Sequence, residues 1–295
     1  MKINPAARTT GDSITLGVNE IEPLLQPLPL DVKPFAPRSV ALENRLGETM
    51  TMLIRPARPE EAPALLEFIA GEFIGASDPE SAADFLDLAG ARVYAELLGW
   101  YRNRVKDPYI LLGLRDGELT ALATGRLLNR EINVAFHTLS FLSGFRAGTA
   151  MNFARCQYCF EDLGQDELWS ACESPSGWKN WAVDLALPSY PWPDLQHELG
   201  GGRVYYLSRE YWESAVRGYL SKNYGIRLER EVPRHLEERN DTLSFPRAAG
   251  PEPEQPPEPP PTETPGAEPG TPKPAPSPEP PPGPSPEALP PAPGA

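Results

Sequence analysis

Residues 132–173 read INVAFHTLSFLSGFRAGTAMNFARCQYCFEDLGQDELWSACE. The segment from Ile132 to Leu142 is rich in β-branched and aromatic residues and predicts a strand. Ser143 to Gly148 is a turn holding Gly144 and Gly148, and from Thr149 to Leu163 the residues Phe153, Cys156, Phe160 and Leu163 recur at helical spacing. Glu167 to Cys172 returns to strand. A strand that enters a helix through a glycine turn aims free backbone N–H groups at whatever covers the turn, because first-turn amides have no intrahelical partner and the helix dipole is positive there. Phosphate fits such a place. Gly144 and Gly148 permit close approach or positive φ, Arg146 can add a charge-assisted hydrogen bond, and Thr149 can cap the helix or touch a phosphate oxygen. The same residues also fit a turn whose glycines only permit tight packing, and the stretch alone does not choose.

Outward from this centre the chain changes texture. Of its 295 residues 38 are prolines, gathered near the ends, and its net charge is −14. An acidic chain offers no electrostatic case for nucleic acid or an anionic membrane surface. The cysteines Cys156, Cys159 and Cys172 do not form a secreted disulfide pattern and suit a reducing compartment. Cys156 and Cys159 make a CxxC inside the predicted helix, without the second ligand pair that zinc would need, so no metal site is expected. No apolar run is long enough to span a bilayer and MKINPAARTTGDS lacks the apolar core of a signal peptide, so a soluble, cytoplasmic protein is expected.

In chain order, residues 1–49 contain EIEPLLQPLPLDVKPFAPRSV, too proline-dense for a helix or central strand, and read as an extended arm that lies along the folded domain, docks on a partner, or is disordered. TMLIRPAR predicts a strand. PEEAPALLEFIAGEF predicts a helix with Pro59 at its start, Glu60 and Glu61 in its first turn, and Ala62, Leu65, Leu66 and Ile69 as its stripe. A second helix covers residues 81–104, with Phe85, Leu88, Val93, Leu97 and Trp100 buried. Tyr109 to Arg115 is a strand, Asp116 and Gly117 a hairpin turn, and Glu118 to Leu128 its return, so that with residues 131–142 a three-stranded antiparallel meander forms. The strand after the glycine-turn helix runs parallel to the one before it. Arg203 to Leu207 is a further strand, Glu210 to Tyr219 a helix, and residues 226–232 an edge strand. Residues 247–295 are a proline-rich acidic tail with almost nothing to build a core, either solubilising or a ligand for an aromatic-lined groove.

The order of these elements resembles the GCN5-related N-acetyltransferase family over about residues 50–212, and the domain is taken as 50–235. IRPARPEEAPALLEFI is similar to that family's first strand and helix. The family's phosphate motif is RxxGxG/A; Gly148 and Ala150 match its last fixed positions, while Phe145 stands where the basic residue belongs and Arg146 lies one place later.

The resemblance implies a mixed α/β fold, a mostly antiparallel central sheet flanked by helices, here with proline-rich extensions. It implies acyl transfer from acetyl-CoA, as co-substrate, to a small-molecule or protein amine. The strand before the turn would part from the next parallel strand, leaving backbone at Leu139, Ser140, Phe141 and Leu142 for the pantetheine arm, with Gly144, Phe145, Arg146, Ala147, Gly148, Thr149 and Ala150 around the diphosphate. His137 lies on the strand leading to the turn; imidazole is the side chain suited to proton transfer near neutral pH, and this one is either the base or a satisfied core histidine. Glu173 could act through a water or be an ordinary strand-end carboxylate. The family's thiolate-protonating tyrosine has Trp181 as its counterpart by spacing, which has no acidic proton; Tyr190, Tyr205 or Tyr206 could replace it or merely pack. Asn180 and Lys179 reach either the CoA nucleotide or only water. The other reading is a catalytically inactive scaffold of the same fold whose proline-rich arms bind protein partners.

Overall fold

The computed structural model describes residues 30–73, 84–172, 177, 179–189 and 203–246. The elements are β1 (Arg38–Glu43), β2 (Thr49–Pro56), α1 (Ala62–Phe73), α2 (Asp84–Tyr101), β3 (Pro108–Arg115), β4 (Glu118–Leu127), β5 (Ile132–Ser140), α3 (Ala147–Gln157), β6 (Glu167–Cys172), α4 (Lys179–Asp184, a π-helical turn), β7 (Arg203–Ser208), α5 (Arg217–Tyr224), β8 (Leu228–Glu229) and α6 (Arg234–Arg239). A π-helical turn, Tyr158–Asp162, prolongs α3, and Arg209–Tyr211 with Trp212–Val216 leads into α5. One eight-stranded sheet runs in the order β7-β6-β5-β4-β3-β2-β1-β8. Only β5 and β6 are parallel among its neighbours.

Strand alternation gives the sheet two buried faces. Met52 and Ile54 of β2, Leu111 of β3, Ala121 and Ala123 of β4 and Ala135 of β5 pack under α3 and the helix leading into α5. Ile110, Leu112, Leu114, Leu119 and Leu122 face the other way, toward Leu65 and Ile69 of α1 and Val93 and Leu97 of α2. Trp100 packs partly buried at that face, and the side chains of Phe85 and Leu88 lie outside the described set. The meander formed where Asp116 and Gly117 take positive φ, 54° and 85°, as a two-residue hairpin turn requires.

The folded body is wider than residues 50–235. RSVALE, read within the arm, is strand β1: it pairs with β2 through a turn at Gly47 and buries Val40 and Leu42. Upstream of it, Leu30 and Phe35 are buried, Phe35 lies edge-on to Tyr158 at 5.5 Å, and Tyr158 Oη donates to Lys33 O at 2.9 Å. Prolines at 34 and 37 set this segment extended without stopping the strand that follows. The expected edge strand at 226–232 is the short β8, on the far side of β1. Beyond α6, Ser244 exchanges hydrogen bonds with the hairpin (Leu119 N to Ser244 O 2.9 Å; Ser244 N to Gly117 O 2.8 Å), and Phe245 stacks on Phe68 at 4.7 Å. Residues 1–29 and 247–295, with the arm and tail readings placed on them, lie outside the described residues. No helix among the described residues is long and apolar enough to cross a membrane.

Candidate active site

The sheet opens at the parallel pair β5·β6. Pairing runs from Ile132↔Glu167 to Ala135↔Ser170 and stops, although β5 continues to Ser140 and β6 to Cys172. A bulge causes the parting: Ala123 opposes Thr138 and Gly125 opposes Ala135, so Thr124 faces both Phe136 and His137. Such an extra residue bends its strand and disrupts the ladder. His137 N donates to Thr124 Oγ1 at 3.1 Å and Phe141 N to Thr120 O at 2.9 Å, both toward β4. By alternation, Leu139 also turns its main chain to β4, and the groups that face the gap are those of Thr138 and Ser140. Of the four residues expected along the gap, Leu139 and Phe141 therefore give it no backbone, and their side chains pack toward α1 and α2. Leu142 packs on the opposite core.

The turn closes this gap at one end. Gly144 has φ 86° and Arg146 φ 61°, after which α3 begins at Ala147, two residues earlier than the apolar spacing suggests. A non-glycine residue in the left-handed region costs about 1–2 kcal/mol, and here it turns the chain so that successive amides converge. Ala150 N bonds to Arg146 O, but the N–H groups of Ala147, Gly148 and Thr149 meet no acceptor among the described residues, and Arg146 gives no side-chain cap. Ala147 and Ala150 are wholly buried, main chain included, and Phe145 packs on the core, so of the first turn it is Gly148 and Thr149 that reach the surface. Tight packing does not account for Gly148: a Cβ there would sit 3.7 Å from Thr138 Cγ2 and 3.8 Å from Ser140 Cβ, ordinary contact distances. The Arg146 guanidinium lies over the Tyr224 ring at 5.1 Å, held by α5. A small cavity beside the turn is lined by Thr149 and Asn152 of α3, Asn180 and Trp181 of α4, and Tyr224.

Adjacent residues of β5 carry polar groups to opposite faces of the sheet. His137 reaches α2, where Nδ1 lies 2.8 Å from Glu96 Oε1; the same carboxylate accepts from Thr124 Oγ1 at 2.6 Å. Both side chains are partly open to solvent, at 17% and 19%. Thr138 points to α3, donating to Asn152 Oδ1 at 2.9 Å and accepting from the Arg155 guanidinium.

Glu173 and Tyr190 lie outside the described residues. Trp181 is buried, Tyr205 is buried on β7, and Asn180 is exposed at the cavity rim, next to a Lys179–Asp184 ion pair of 2.7 Å. The thiols of the CxxC are free and buried, and burial pushes Cys156 up to about 12. Among the described residues no cluster of His, Cys, Asp or Glu could hold a metal. Sequence reasoning missed Glu96, Thr138, Asn152, Arg155 and Tyr224. Only Arg155 left a signal, a charge set among the buried phases of a helix; the others meet the site through tertiary contact.

No protein-family model matches the sequence, and no curated protein is similar to it. Among solved structures, the chain is similar to the PaiA N-acetyltransferase from Thermoplasma acidophilum in complex with coenzyme A, over 54% of this chain and 99% of that one, at 11% identity and TM-score 0.36. RimJ from Mycobacterium smegmatis in complex with CoA-disulfide matches over 65% of this chain and 96% of its own, at 13% identity and TM-score 0.40. The N-acetyltransferase PseH from Campylobacter jejuni matches over 53% and 97%, at 12% identity and TM-score 0.33.

Proposed function

We propose that the chain is an acyl-CoA-dependent N-acyltransferase, with acetyl-CoA as the donor and an amine as acceptor. One observation carries this reading: unpartnered amides at the N-terminus of α3 open beside a gap between two parallel strands. The amides of Gly148 and Thr149 and the side chain of Arg146 hold the diphosphate, where helix N-termini favour anions. The gap-facing backbone of Thr138 and Ser140 accepts the pantetheine arm in the manner of an added strand. Asn180 and Thr149 line the approach.

The thioester then lies where β5 leaves β6, and the amine approaches from the α2 face. His137, its Nδ1 turned to Glu96, takes the proton that the amine loses on attacking the thioester carbonyl. A backbone N–H in the gap polarises that carbonyl.

The test is calorimetry with CoA and acetyl-CoA, paired with thermal melting. Micromolar binding is expected, and ligand at a hundredfold over Kd should stabilise the fold by about 2.7 kcal/mol. Absence of both heat and stabilisation would replace the enzyme with the inactive scaffold, a reading to which Phe145 at the motif's basic position and the buried Trp181 would then belong.

A further inference from the structure

Among the described residues three arginines are almost wholly buried: Arg38, Arg55 and Arg155, at 3%, 5% and 2% exposure. The first two each hold a carboxylate, Asp162 at 2.6 Å and Glu61 at 2.5 Å. Arg155 holds none among the described residues. Its guanidinium donates to Thr124 O at 3.2 Å, to Asn152 Oδ1 at 2.7 Å and to the Thr138 hydroxyl, all neutral, and its Nε has no partner. The titratable groups beside it, Tyr109 and Cys156, are both kept protonated by burial, and Tyr109 Oη donates to Asn133. Glu96 lies across the sheet, spent on Thr124 and His137. A cation buried without a counter-charge is destabilising, so stability does not account for it.

Its position says what it is for. Thr138 and Thr124, its contacts, flank the bulge where β5 parts from β6. Along α3, Arg155 is seven residues from Gly148, about 10.5 Å at 1.5 Å per residue, and a pantetheine arm covers that span. We propose, resting on the acyl-CoA reading, that Arg155 supplies the positive field that stabilises the thiolate of CoA as it leaves. The amine nitrogen bonds to the carbonyl carbon and its proton passes to His137. The C–S bond breaks with its electron pair on sulfur, and the thiolate waits beside Arg155 and Thr138 until that proton returns to it. Arg155 acts here through space and through the Thr138 hydroxyl, a positioning and electrostatic role.

The experiment titrates the thiol of CoA bound to the full chain, followed by the ultraviolet absorbance of the thiolate. In the wild type the bound thiol should ionise at a proton concentration at least about tenfold higher than free CoA, a tenfold change corresponding to about 1.4 kcal/mol. Arg155→Gln should return it to the free value, while Arg155→Lys keeps most of the effect. A wild-type bound thiol that titrates with free CoA overturns the proposal even if no variant folds, and so does an Arg155→Gln protein that retains the wild-type curve. Failure of the wild type to bind CoA at all is a different result and removes the acyl-CoA reading first.

Discussion

Glu96 holds the ring of His137 across 41 residues of sequence, with its Oε1 2.8 Å from Nδ1. A carboxylate at Nδ1 favours the tautomer that carries its proton there, which makes Nε2 the basic nitrogen. Thr124 fixes the pair from below: its hydroxyl donates to Glu96 Oε2 and accepts from His137 N, so the bulge and the dyad form together. His137→Ala should lower kcat for amine acylation by about a hundredfold or more, the usual worth of a positioned base, with the KM for acyl-CoA little changed. Glu96→Gln should cost less, since the amide can still hold the ring. Rates of thiol release with a panel of amines measure both, and an undiminished rate in His137→Ala would leave the imidazole a packing group.

Gly148 separates binding from folding. The space around it accepts a methyl group, and alanine is favoured over glycine in a helix by up to about 1 kcal/mol. Gly148→Ala should therefore leave the urea midpoint unchanged or raised while weakening CoA binding by at least about tenfold, one step of 1.4 kcal/mol. Gly148→Leu should abolish binding without unfolding the chain. Equal affinity for CoA in all three proteins would refute the diphosphate position.

The sheet's centre was legible because its residues obey one local rule at a time. YILLGLR and ELTALATGRL are apolar runs joined by a DG turn, and the turn conformation follows from those two residues alone. The glycine turn and the helix after it could likewise be read from spacing. What could not be read depends on tertiary contact. β1 follows a proline-dense segment, and its strand identity comes from pairing with β2. Nothing in the local pattern at Arg146 announces Tyr224, which arrives on a helix near the end of the folded body. The N-terminal shift of α3 follows from Arg146 adopting a positive φ, a choice that sequence disfavours for arginine.

Arg55 and Glu61 test the opposite case from Arg155, a buried cation with its partner. The pair is bidentate, at 2.9 and 2.5 Å, and Glu61 also accepts from Arg58 N at 2.8 Å at the entrance to α1. With exposures of 6% and 9%, neither charge can be rehydrated in place. Glu61→Ala should cost about 3–5 kcal/mol, and an apolar double replacement, Arg55→Met with Glu61→Leu, markedly less. Urea denaturation decides it; a loss below about 1 kcal/mol for Glu61→Ala would mean that water reaches the guanidinium.

The buried thiols make stability fall on the alkaline side. Burial raises Cys156 from its ordinary 9.0 to about 12 and Cys159 well above the same value; burial also raises Tyr158 from 10.0 to about 12. Each group is neutral when protonated, and its folded form keeps the proton longer than the unfolded chain does. The unfolded state therefore binds fewer protons above pH 9, and by linkage stability present in full below that point declines as pH rises toward about 12. Cys156 alone contributes a slope of about 1.4 kcal/mol per pH unit across that window. Unfolding midpoints at neutral pH, at the ordinary thiol value and above it should descend in that order. In a Cys172→Ser background, a disulfide reagent at neutral pH should label neither remaining thiol until urea unfolds the protein. Prompt labelling in the native state would show that α3 opens, and with it the helix N-terminus on which the proposed diphosphate site depends.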